Sequence, residues 1–229
     1  MPRVRPSTTT GQKKGTVMQV AIGVVGHVDR RDQAWKLIEQ VGAVDYNIDD
    51  GTLGCNGNHY TVLKQLRDNN PDADWLCVLE DDAQPVDDFE AQLAMALKAA
   101  PTQVVSLYLG TSNPIHWQDA IARAVSCAEA WIVGTHLLHA VGYCVNAAII
   151  DTLIDHIEPN SPRPIDEQIS QWVYPHHVFV GYTCPSLVDH ADGEPIIQKR
   201  LDGAPRVNPR KAWKVGTRSN WRSKSVLLS

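Results

Sequence analysis

Apolar and polar positions alternate in runs along the chain. Residues 17–28, VMQVAIGVVGHV, form a β-branched apolar run with Gly near its end, the pattern of a buried strand in a parallel sheet. In residues 29–42, DRRDQAWKLIEQVG, Asp29 is placed to cap a helix. Trp35, Leu37 and Ile38 give that helix an apolar side, and Gly42 a stop. AVDYNI (43–48) predicts a short strand, DDGTLGCNG (49–57) a Gly-rich loop, and NHYTVLKQLRDNN (58–70) a helix closed by Asn-Asn-Pro. Residues 75–79 predict the next strand. Pro85 reads as the first position of a helix, with Asp87, Asp88 and Glu90 in the first turn, where acids meet the positive end of the helix dipole. Further strands are predicted in TQVVSLYLG (102–110) and in the mixed segment 128–146, and helices in AAIIDTLIDHI (147–157) and IDEQISQWV (165–173). HHVFVGYTCPSLVDH (176–190) holds a last strand and its exit loop, after which periodicity fades.

This order, strand and helix in alternation, predicts an α/β domain with a mostly parallel sheet. Such sheets bind ligands beyond the carboxyl ends of their strands. The chain has 229 residues, enough for one domain with a sizeable core. No apolar run approaches the roughly 20 residues of a membrane span. Residues 1–16 read as a flexible leader without the apolar stretch of a secretory signal, 17–198 as the folded α/β domain and 199–229 as a basic tail or lid. The five cysteines are dispersed, with no Cys-x-x-Cys pair, which argues against a disulfide framework or a cysteine zinc site. A cytoplasmic location is expected.

Charge is segregated. Residues 15–198 carry eight Lys/Arg against 25 Asp/Glu, and residues 199–229 carry nine Lys/Arg against one acid. The tail therefore either meets an anion or folds onto the acidic body. Its cations are interleaved with Trp213 and Trp221, a pattern that also suits nucleic acid.

The strand at 75–79 runs directly into Glu80, Asp81 and Asp82. Packed carboxylates repel and are costly to desolvate. Two readings stay open from the residues alone: a solvated turn, or a site for Mg²⁺ or Mn²⁺ with substrate phosphates. If extension continues, Glu80 and Asp82 share a side and Asp81 points away.

GCNGNHYTVLKQL followed by DWLCVLEDDAQPVDDF resembles glycosyltransferase family 25, which includes lipopolysaccharide sugar transferases and collagen galactosyltransferases. The matching residues are Gly54, Cys55, His59, Leu79, Glu80, Asp81 and Asp82; Asn58 stands where the family usually has Ser. VDRRDQAWKLI is similar to the family's first loop and helix, and GTHLLHAVGYCVN to its later Gly-Thr segment. The resemblance implies a GT-A fold (a Rossmann-like nucleotide-diphospho-sugar transferase), a UDP-sugar donor and Mn²⁺ or Mg²⁺. It implies that Asp82 binds the metal, that Glu80 faces the ribose or the metal's water shell, and that Asp81 supports the loop. Gly26, Gly54 and His59 fall in its donor-side segments. His190 is a candidate further metal or phosphate ligand.

Asp166 and Glu167 open the helix at 165–173 and are candidates for the general base of an inverting transfer; the alternative is an acidic first turn. Arg30 and Arg31 suit a diphosphate, or a solvated helix start. His136, His139, His176 and His177 read as structural. The acceptor expected is a hydroxyl on a macromolecule: protein, glycan, or a hydroxymethylated base in DNA. A bacterial or phage enzyme is compatible with the small size. The rival readings are a metal-dependent nuclease or phosphoesterase using Glu80, Asp82 and Asp166, and a non-catalytic nucleic-acid-binding protein using the tail.

Overall fold

The computed structural model describes residues 18–112, 114–193, 196 and 209–229; the leader and the first part of the basic segment lie outside the described residues. The chain opens with β1 (Val20–His27), α1 (Arg31–Gln40), β2 (Asp45–Asp49), α2 (Gly54–Asn69) and β3 (Trp75–Glu80). It continues through β4 (Ala83–Pro85), α3 (Phe89–Lys98), β5 (Val104–Ser106), α4 (Gln118–Cys127), β6 (Trp131–Gly134) and β7 (Gly142–Asn146). It ends with α5 (Ile150–His156), α6 (Ile165–Val173), β8 (Val180–Thr183), β9 (Val188–His190) and β10 (Ser225–Leu227).

Eight strands form one sheet in the order β10-β6-β8-β5-β7-β3-β1-β2, and four of its seven pairings are parallel. Helices cover both faces, so the strands are apolar on both sides. In β3, Leu76 and Val78 face a core shared with α2, α4, α5 and α6. Trp75, Cys77 and Leu79 alternate with them into a second core, shared with α1 and α3. The chain leaves β1 for β2 on one side and returns to β3 on the other. The carboxyl ends of β1 and β3 therefore flank a switch in strand order, the position where open α/β sheets leave a crevice.

Several expectations are corrected. Gly54 to Gly57 belong to α2 and not to a loop: Gly54 adopts φ +66°, and the Asp49 carboxylate accepts from the Leu53 and Gly54 amides at 3.1 and 3.0 Å, starting the helix early. Pro85 lies in β4, which pairs antiparallel with β9 as a two-stranded ribbon where a missing N–H is tolerated. Asp88 sits before α3 at φ +52°, so of the three acids only Glu90 falls in the first turn. Helix α4 had no counterpart in the sequence reading.

The described part of the basic segment is built into the body. β10 pairs with β6, and Trp221 is buried against Trp131, whose Nε1 donates to the Trp221 carbonyl at 2.7 Å. Trp221 is therefore not available to stack on a base. Of the two partners expected for this segment, its described residues meet the acidic body: Lys211 lies 3.4 Å from the Asp189 carboxylate.

Candidate active site

Extension ends at Glu80, so the expected alternation of Glu80, Asp81 and Asp82 does not hold. Asp81 and Asp82 share a turn and a partner. Arg30, from the turn after β1, donates to Asp81 Oδ1 at 3.0 Å and to Asp82 Oδ2 at 2.5 Å, and the His27 amide donates to Asp81 Oδ2 at 2.8 Å. Burial opposes the charge on Arg30, but Asp82 and Asp81 outweigh it and raise its pKa. Burial pushes both carboxyls up; Asp82 is raised further by Glu80. Asp81 thus ties the turn after β3 to the turn after β1.

His190 reaches this turn because Ala83 and His190 are opposed in the β4–β9 ribbon. Its Nε2 lies 3.3 Å from Asp82 Oδ2. Burial lowers the His190 pKa, against the pull of Asp82. Among the described residues, Asp82 Oδ1 and His190 Nδ1 are both buried without a hydrogen-bond partner. Such orphans are costly unless a ligand satisfies them. The carboxylate oxygen suits Mn²⁺ or Mg²⁺, and the imidazole nitrogen is a donor more typical of Zn²⁺, so the donor set accommodates a divalent cation without selecting Mn²⁺.

Glu80 belongs to a second group. Its Oε1 lies 3.3 Å from His59 Nε2, and His59 Nδ1 lies 3.2 Å from the Tyr143 hydroxyl. Burial works to lower the His59 pKa; Cys55 and Glu80 outweigh it and raise it to about 10. Among the described residues, the group of three whose ligand atoms lie within 4.8 Å of one another is Cys55, His59 and Glu80. The trio expected to hold the metal, Asp82, Glu80 and His190, is therefore split between two neighbouring groups.

Asp166 is half-buried in the first turn of α6, with Oδ1 accepting from the Glu167 amide at 3.0 Å. Burial, with Glu80 and Glu167 adding to it, raises its pKa to about 7. The connector leading to α6 is tied down by Asn56, whose Nδ2 donates to the Ser161 and Arg163 carbonyls at 2.6 Å. Glu167 is exposed beside it.

A cleft of about 780 Å³ opens at this end of the sheet, lined by Arg30, Arg31, Asp82, Ala191 and Gly193 among others. A smaller one of about 340 Å³ is lined by Arg31, Trp35, Tyr46, Asn47 and Ile48. Gly26 does not line either; a Cβ there would lie 2.9 Å from the Ala34 Cβ, so its role is to let α1 pack on β1. The Gly26 carbonyl accepts from Asn58 Nδ2 at 2.8 Å, which ties α2 to β1. The Gly54 amide is taken by Asp49, and its side of the helix start is exposed.

Sequence reasoning missed three contributors. Cys55 is four residues before His59, a spacing that places both on one helix face. Tyr143 and Lys211 carried no local signal; Lys211 donates to the His190 carbonyl at 2.6 Å. His139, read as structural, has Nε2 buried without a partner among the described residues and packs edge-on to Tyr108 at 5.1 Å. Burial pushes its pKa down to about 4, so it is neutral at pH 7.

No family model and no curated protein matches the chain. Solved structures are similar over most of its length, three of them as follows. They are A197 from STIV (TM-score 0.46, 12% identity, 76% of this chain and 85% of that one); a glycosyltransferase involved in the glycosylation of the major capsid of PBCV-1 (TM-score 0.35, 10% identity, 68% and 77%); and the inositol-1-phosphate CTP transferase from T. maritima (TM-score 0.38, 8% identity, 73% and 86%). These values assign no family.

Proposed function

We propose that the chain is a metal-dependent glycosyltransferase of GT-A type, similar to family 25, that moves a sugar from a UDP-sugar to a hydroxyl on a macromolecule. The observation that supports this best is the arrangement at the switch in strand order. There, a cleft of about 780 Å³ is lined by Arg30, Arg31 and Asp82, and Asp82 is paired with His190. An open cleft with guanidinium groups and a carboxylate–imidazole pair suits a diphosphate and its counter-ion.

In this reading Asp82 and His190 hold Mn²⁺ or Mg²⁺, which when bound offsets charge on the leaving diphosphate. Arg31 grips a donor phosphate. Arg30 neutralises Asp81 and Asp82 between turnovers. Asp166 takes the proton of the acceptor hydroxyl as that oxygen attacks the anomeric carbon and the bond to the diphosphate breaks, with inversion. A carboxyl whose pKa lies near 7 is well matched to that transfer. The acceptor is a protein, a glycan or a hydroxymethylated DNA base.

The test is release of UDP from a panel of UDP-sugars with Mn²⁺, with and without chelator, comparing wild type with Asp82→Asn. Chelator-sensitive release that is lost in the variant is expected. No release from any donor by folded protein would overturn the reading, and metal-dependent cleavage of DNA or a phosphoester without donor would favour a phosphoesterase. Among the described residues no helix is long and apolar enough to cross a membrane.

A further inference from the structure

We propose that Cys55, His59 and Glu80 form a separate site for a thiophilic divalent cation of the Zn²⁺ class, distinct from the Asp82–His190 pair. Cys55 and His59 stand four apart on α2 and share a face. Glu80 meets them from the end of β3, and the three ligand atoms lie within 4.8 Å of one another. The His59 Nε2 to Glu80 Oε1 separation of 3.3 Å is the edge of a tetrahedron with metal bonds of about 2.0–2.1 Å, the lengths zinc makes to imidazole and carboxylate.

Two further features fit a metal site. His59 is buried, and its Nδ1 meets the Tyr143 hydroxyl at 3.2 Å, the outer hydrogen bond that orients a ligating imidazole; the ion takes the place of the proton that Nε2 shares with Glu80. Cys55 is exposed and lies in the first turn of α2, so the site has an entry from solvent. Three protein ligands leave a fourth position open to water or a substrate atom, the pattern of a catalytic or inhibitory zinc site and not of a closed structural one. This does not depend on the glycosyltransferase reading.

Co²⁺ serves as the probe, added to the reduced full-length protein and followed by absorption in the near ultraviolet and visible. Wild type should show thiolate-to-cobalt charge transfer that saturates at one equivalent and is displaced by Zn²⁺. The band should vanish in Cys55→Ser and persist in Cys127→Ser, the other exposed cysteine, and in Asp82→Asn. Zn²⁺ affinity, by competition with a chromogenic chelator, should fall at least about tenfold in Cys55→Ser. It should fall about 10- to 100-fold in Tyr143→Phe with the band retained, as loss of an outer hydrogen bond does. Circular dichroism checks that each variant is folded. The proposal is overturned by absence of the band, by its survival in Cys55→Ser, or by its loss in Cys127→Ser or Asp82→Asn.

Discussion

Replacing Arg30 by Met keeps the length of the side chain and removes its charge. In the folded protein Arg30 is 14% exposed, and the carboxylates it bridges, Asp81 and Asp82, are 7% and 8% exposed. Breaking a buried pair leaves an uncompensated charge and costs about 3–5 kcal/mol. Arg30 borders an open cleft, so water can reach part of the site, and the lower end, about 3 kcal/mol, applies. For a chain of this size that is a fall of roughly 6–12 °C in Tm. The effect carries a pH signature. Both carboxyls already sit above their ordinary pKa, so each destabilises the fold increasingly as pH rises from the unfolded value near 3.9 through the folded one. Without Arg30, which lowers both, they rise further. The deficit of Arg30→Met should therefore be larger at pH 8 than at pH 5. Urea unfolding of both proteins at the two pH values measures it, with Asp81→Asn added to close a double-mutant cycle. A deficit below about 0.5 kcal/mol at pH 8, within the usual range of surface substitutions, would refute the argument, as would one independent of pH.

Asp166→Asn should lower turnover by about 10²- to 10⁴-fold, the usual worth of a general base. It should also remove the rise in rate through about pH 7 that deprotonation of Asp166 produces in wild type. Because the raised carboxyl destabilises the fold as pH climbs from about 4 to 7, the same variant should be more stable than wild type at pH 8, seen as a higher Tm. Trp221→Ala should cost about 3–5 kcal/mol in urea unfolding, since the ring is buried against Trp131 and its Nε1 donates to Gln92 Oε1 at 3.1 Å; a loss under 1 kcal/mol would mean that the segment is not integral to the domain.

Much of the framework is local and could be read from the chain. The apolar runs of β1 and β3, the apolar side of α1 and the acidic start of α6 each declare their element by periodicity or capping. The alternation of strands and helices then places Glu80 at a carboxyl strand end, where β3 does end. The sequence could not decide how the carboxylates divide. Their partners come from distant segments: Arg30 lies 52 residues from Asp82 and His59 lies 21 from Glu80. His190 reaches Asp82 through the β4–β9 ribbon, whose strands are three residues long and carry little periodic signal. The helical start of α2 was hidden because its cap is a carboxylate on the preceding strand rather than a residue adjacent in the pattern. The place of residues 209–229 was hidden because charge composition reports solubility and attraction, whereas the burial of one tryptophan and a three-residue strand pairing across the sheet edge are tertiary facts. Local periodicity determines which elements exist; only packing between distant elements determines which charges are neutralised and which side chains are left to bind.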